Sequence, residues 1–260
     1  MFYCVNGDNM IIRKIEIKKE EAIIHLSDKT SFTLSLETYL NNSILLNEDI
    51  SKEQINSLKK QDQVNEAKLM LVNKISRKKY SKKECELLLI EYGLNLENIQ
   101  KIIIQLEHQY LINDLELMED IINYCLFNKK GINVIKQKII DRKINFESEN
   151  ILYDYIDYDR YKKNIFYLLE KYKNLSKNKS KKALNAYLKN KMLENGYNIE
   201  EFDSYIDVKE IDEYEIVIKE IDKFFKNREN NNENIAKIRK KLLSKGFNYD
   251  IIKKALGSVK

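Results

Sequence analysis

One short signature recurs four times along the chain: Leu94-Asn95-Leu96-Glu97, Ile144-Asn145-Phe146-Glu147, Tyr197-Asn198-Ile199-Glu200 and Phe247-Asn248-Tyr249-Asp250. The pattern is apolar, Asn, apolar, acid, and the copies are 50, 53 and 50 residues apart. A spacing of that size means that one supersecondary unit has been duplicated, because a single unit cannot bury its own apolar face and must stack on its neighbours. Glycine precedes the signature in three copies, as Gly93, Gly196 and Gly246, and Lys143 takes its place in the second.

Each residue type has a task if the signature is a turn between two helices. Glycine ends the first helix because it tolerates a left-handed backbone, and Asn caps the second by accepting bonds from free amides. The acid then lies near the positive end of the helix dipole. The apolar residue before the cap can staple against Ile99, Phe202 and Ile252, whereas Glu149 interrupts that contact in the second copy. Aligning backwards gives the columns Cys85/Ile135/Leu188/Ile238, Leu89/Ile139/Met192/Leu242 and Ile90/Ile140/Leu193/Leu243, all apolar. These columns place one buried stripe on each middle helix. Helical patterns also precede them near residues 64–76, 115–127, 161–175 and 214–225, so each unit has three helices.

The first part of the chain has a different period. Residues 11–17, 22–26 and 31–36 alternate as three short strands with polar turns between them. Ser51 with Gln54 three residues later starts a capped helix whose Ile55 and Leu58 can cover the sheet. The expected fold is therefore mainly α: tandem three-helix, helix-turn-helix-like repeats forming a curved elongated array, with a small N-terminal β-meander module. The expected divisions are 1–61 for the β-rich module with its covering helix, then repeats at 62–112, 113–158, 159–210 and 211–260. The absence of Pro and a total of only 6 Gly suit long helices with short links.

Cys4, Cys85 and Cys125 show no paired spacing, and neither His25 nor His108 stands at ligand distance from a cysteine. A reduced, cytoplasmic protein without metal or cofactor is expected. No apolar run is long enough to cross a membrane, and the N-terminus lacks the basic-then-apolar layout of a signal. A Gly-rich phosphate loop, a nucleophile with its base and a spaced carboxylate pair are all missing, which argues against an enzyme.

Charge is distributed unevenly. Residues 1–66 carry 8 basic and 11 acidic side chains, and the remainder carries 38 basic and 30 acidic. The cations cluster before or on each middle helix: Arg77, Lys78, Lys79, Lys82 and Lys83 in the first copy, and Lys129, Lys130, Lys136 and Arg142 in the second. The third has Lys177, Lys179, Lys181, Lys182 and Lys189, and the fourth Lys237, Arg239, Lys240 and Lys241. For any single lysine a solvated helix face is the plainer reading. In a stacked array, however, equivalent positions tend to line up, so the set is expected to form a filament- or DNA-binding stripe. Of the aromatics, Tyr124, Phe127, Phe166, Tyr167, Phe224 and Phe225 lie on apolar faces and are expected in the core, while Tyr153, Tyr155, Tyr158 and Tyr161 are the more exposed candidates for stacking, in a run too polar to assign.

Four segments resemble the RecX family. Residues 67–87 (AKLMLVNKISRKKYSKKECEL) resemble its opening run, residues 106–121 (LEHQYLINDLELMEDI) its apolar-Asp segment, and residues 130–144 (KGINVIKQKIIDRKI) its Lys-Gly turn and following helix. Residues 240–256 (KKLLSKGFNYDIIKKAL) resemble its last repeat. Lys143 stands where the family has a small residue, and residues 200–234 diverge. The resemblance implies a monomeric, non-catalytic regulator of recombination and DNA repair. It would lie in the groove of the RecA filament on single-stranded DNA and inhibit recombinase activity by occupancy. The competing class is a direct binder of single- or double-stranded DNA, since three-helix units of this kind resemble helix-turn-helix modules.

Overall fold

A computed structural model describes residues 9–145, 149–208 and 211–258. Cys4, Phe146, Glu147 and the Glu149 side chain, all used in the sequence argument, lie outside what is described. The chain divides into two compact units: the first runs up to Leu117 and takes in Arg142–Ile144, and the second holds Met118–Asp141 and the chain from Asn145 onward.

The first unit begins with an antiparallel sheet of β1 (Asn9–Lys18), β2 (Glu21–Leu26), β3 (Ser31–Ser35) and β4 (Asp49–Ser51), in the order β3-β2-β1-β4. The first three are the expected meander. The fourth pairs Met10 with Ile50 and was not foreseen, because three residues are too short to show a period. Alternation puts Ala22, Ile24, Leu26, Phe32 and Leu34 inward, and the short helix α1 (Leu36–Asn41) follows β3.

Helix α2 (Lys52–Ile75) starts from a Ser51/Gln54 capping box, as expected, and Ile55 and Leu58 pack on the strands. It then continues without a break, so that Ala67 and Leu71 enter a second core with α3 (Lys82–Glu91) and α4 (Leu96–His108). The division expected at residue 61 therefore falls inside one helix. Near that point Asp62 is buried and accepts from the Ser35 amide (2.9 Å) and hydroxyl (2.5 Å). Asn65 donates to Thr38 Oγ1 at 2.9 Å.

Helix α5 (Asp114–Phe127) is followed by α6 (Ile132–Asp141), α7 (Glu149–Asp154), α8 (Tyr158–Asn174) and α9 (Lys181–Glu194). After α10 (Ile199–Phe202) a single 3₁₀ turn, Asp203–Tyr205, leads to α11 (Glu213–Phe225), α12 (Asn232–Ser244) and α13 (Tyr249–Ser258). The columns at Cys85 and Leu89 and their copies are buried in all four middle helices. The third column is corrected: Ile90, Ile140, Leu193 and Leu243 are 43–55% exposed. A residue five positions on has rotated about 140° from the first column, whereas one four positions on has rotated only about 40°.

The turn signature performs as its chemistry requires. Gly93, Gly196 and Gly246 have φ of +94°, +87° and +83°, and Lys143 adopts the same left-handed backbone at 56°. Asn95 Oδ1 accepts from the Asn98 amide at 2.9 Å, and Asn248 Oδ1 from the Asp250 amide at 2.8 Å. Leu94 shares a core with Ile99, and Phe247 with Ile252.

These turns also join successive copies. In the second unit the α9 turn meets the start of α6: the Gly131 amide donates to Asn195 O (2.8 Å) and the Asn133 amide to Gly196 O (3.0 Å). The α12 turn meets the start of α9 through Ser180 Oγ donating to Lys245 O at 2.9 Å. In the first unit Arg142 donates to both carboxylate oxygens of Glu84 (2.9 Å each) and to Lys79 O. The first amide of each of these middle helices finds a side chain from further along: Lys82 N–H to Asp114, Ile132 N–H to Tyr161 Oη, and Lys181 N–H to Glu213, at 2.8, 3.1 and 2.8 Å. An exposed helix start would otherwise leave that donor to solvent, so these bonds fix the starts of α3, α6 and α9.

Candidate binding surface

Most of the cations named from the sequence lie at these helix starts, and the fold divides them by partner. In the first copy Lys79 pairs with Glu116 (2.5 Å), Lys82 with Glu107 (3.0 Å) and Lys83 with Glu86 (2.8 Å), while Lys78 lies 5.2 Å over Tyr80 and Arg77 is exposed. In the second, Arg142 is held in its two-pronged pair with Glu84 and is only 24% exposed, so it serves as a clamp. Burial pushes Glu84 upward, but Arg142 and the Ser81 amide outweigh it and hold the carboxyl below its ordinary range. Lys130 donates to Asn195 Oδ1 at 3.0 Å, Lys129 lies 4.8 Å over Tyr167, and Lys136 is half-buried and partnered.

In the third copy Lys189 pairs with Asp203 (2.7 Å), Lys181 is half-buried and Lys179 lies 5.0 Å over Tyr187, while Lys177 and Lys182 point to solvent. In the fourth, Lys237 pairs with Glu233 (2.5 Å) and Lys241 approaches Glu220 (3.8 Å), while Arg239 and Lys240 are exposed. Among the described residues, Arg77, Lys177, Lys182, Arg239 and Lys240 are thus exposed cations with no acid partner. Lys177 and Lys179 also line a recess with Ser176, Asn178, Ser244 and Lys245, although Lys245 is paired with Glu220 at 2.5 Å.

The aromatics need correcting in both directions. Tyr124, Phe127, Phe166 and Tyr167 are 60%, 71%, 43% and 53% exposed. The buried stripe of α5 runs through Met118, Ile122, Cys125 and Leu126, from which Phe127 lies on the far side. Phe224 and Phe225 are half-buried against the core of the last copy. Tyr161, named among the more exposed candidates, is buried, and its hydroxyl donates to Glu201 at 2.9 Å. Tyr153, Tyr155 and Tyr158 are exposed as expected.

The described residues contain no cluster of three metal-ligating side chains. Burial raises the Cys85 thiol to about 12 and raises Cys125 as well, so neither is a ready nucleophile at neutral pH. Among the described residues no helix is long and apolar enough to cross a membrane.

No family model matches the chain. Similarity to individual proteins, by contrast, runs almost end to end. A protein named Regulatory protein RecX from Streptococcus mutans is 28% identical over 257 residues, covering 95% of this chain and 98% of that relative. The chain is a homologue of the RecX regulatory proteins. A second RecX protein, from Listeria monocytogenes, is 25% identical over 255 residues, covering 92% of the chain and 91% of its own length. A crystal structure of regulatory protein RecX superposes with a TM-score of 0.61 over 75% of this chain and 97% of that one, at 16% identity, and so shares the fold. The RecX likeness noted on four segments therefore extends over nearly the whole chain.

Proposed function

We propose that this protein is a regulator that binds the RecA filament on single-stranded DNA and inhibits recombinase activity by occupying the filament groove, without catalysis. The observation that carries the reading is the near end-to-end similarity to proteins named Regulatory protein RecX. The exposed cations without acid partners support it, since they recur in the first, third and fourth copies and suit a polyanionic partner. Repeated weak contacts to a repeating partner add through multivalency, so no single lysine needs to be decisive. The protein acts in the cytoplasm as a monomer.

The test is binding to bare single-stranded DNA and to RecA-coated DNA at two salt concentrations. Preference for the coated form is expected, and equal or stronger binding to bare DNA would favour a direct DNA binder instead. Reversing charge at Lys179, Lys181 and Lys182 together is expected to weaken inhibition of RecA strand exchange. Unchanged inhibition would remove this cluster from the site.

A further inference from the structure

The end of α5 carries a patch that the filament reading does not require. Tyr124 and Phe127 lie one turn apart on α5 and are 60% and 71% exposed. Tyr167 on α8, 53% exposed, is brought to the same end by Lys129, whose ammonium lies 4.8 Å over its ring. Nearby, Asn164, one turn before Tyr167, donates to Leu126 O at 2.7 Å and fixes α8 against α5. Lys138 from α6 lies 5.4 Å over Tyr124. Among the described residues neither Lys129 nor Lys138 has an acid partner. Asp120, one turn before Tyr124, already has a partner of its own, and Glu170 is the next acid along α8 after Tyr167.

Single exposed rings are ordinary, but three around one helix end, with two unpaired ammonium groups set over two of them, form a patch with a defined chemistry. Phe127 offers a flat apolar ring, and Tyr124 and Tyr167 offer the ring area that their lysines leave exposed, with positive charge held against it. Unpaired bases stack on such faces while the adjoining phosphates meet the ammonium groups. A duplex presents the phosphates alone, since its bases are stacked on each other, and an acidic protein surface would leave the rings without flat partners.

The geometry points to Tyr124, Phe127 and Tyr167, with Lys129 and Lys138, as a stacking site for single-stranded DNA on the second unit. The site goes beyond the filament reading because it needs no RecA, and it is tested without RecA. Fluorescence anisotropy of labelled oligo(dT), with a labelled duplex alongside, compares the full chain with its Phe127→Ala/Tyr167→Ala variant. Both side chains are exposed, so the variant keeps the circular dichroism spectrum of the parent.

The expected result is a loss of oligo(dT) affinity of about tenfold or more, with duplex binding little changed. Phe127→Trp should retain binding and show quenched indole emission when oligo(dT) is added. Unchanged oligo(dT) affinity in the double variant, or an equal loss on duplex, overturns the proposal. So does wild-type self-association, seen by sedimentation velocity, that the double variant abolishes, because the rings then seal against a second copy of this chain.

Discussion

Lys143 is the one non-glycine residue at the four helix-ending turns, and it carries the left-handed φ of 56° that its counterparts hold as glycine. A side chain in that region costs on the order of 1 kcal/mol. Lys143→Gly is therefore expected to raise stability by about 1 kcal/mol in denaturant unfolding. The reverse experiment, Gly196→Ala, should cost more than the backbone strain alone, because a Cβ there would lie 2.9 Å from the Val134 amide nitrogen and closer still to its Cγ2. The turn glycines were legible because their position before a recurring Asn has a known backbone requirement. Gly131 was not legible in that way: its φ is unremarkable, and it is needed because a Cβ would collide with the Gly196 backbone, a partner 65 positions away in sequence.

Among the elements, the starts of the middle helices carry the most specific bonding. The first amides of α3 and α9 are met by carboxylates, Asp114 and Glu213, and that of α6 by the Tyr161 hydroxyl backed by Glu201. Tyr161→Phe leaves both the Ile132 amide and Glu201 short of a partner and is expected to destabilise by about 1–3 kcal/mol, measured by thermal melting at neutral pH. At α3 the Arg142–Glu84 pair adds a pH signature. Because Glu84 titrates below its ordinary value in the folded state, its contribution is fully present above about pH 4.5 and is lost as pH falls through the lowered value. Arg142→Ala should thus lower the melting temperature at pH 7 and narrow its gap to wild type as the buffer is taken toward pH 3. Helix positions were readable from period and caps, and the buried columns at Cys85 and Leu89 followed from the repeat. The exposure of Ile90 and its copies was misread because recurrence fixes equivalence among copies, while the rotation around the helix decides which side is covered.

Across the whole molecule, the clustering of cations was visible in the sequence and the identity of their partners was not. Lys79, Lys83 and Lys237 look like Lys177, Lys182 and Lys240 until the acids facing them are placed. Surface pairs of this sort add little stability but mask charge, so the two groups should behave differently toward a polyanion. Neutralising Lys177, Lys182, Arg239 and Lys240 together is expected to flatten the salt dependence of binding to RecA-coated DNA by more than neutralising Lys79, Lys83 and Lys237. Equal slopes for the two sets would show that the internal pairs open freely when the partner arrives.

Helix α2 has a consequence for how the chain can be divided. Its first turns close the strand core at Ile55, and its later turns supply Ala67 and Leu71 to the helical core, with Asp62 bonded to Ser35 between them. The two cores share one uninterrupted helix, so fraying at one is expected to reach the other, and a single unfolding transition for both is the expected outcome of thermal melting. A truncation beginning at residue 62 would not release a tidy helical domain; it would start in mid-helix, stripped of its cap and of the sheet that anchors it.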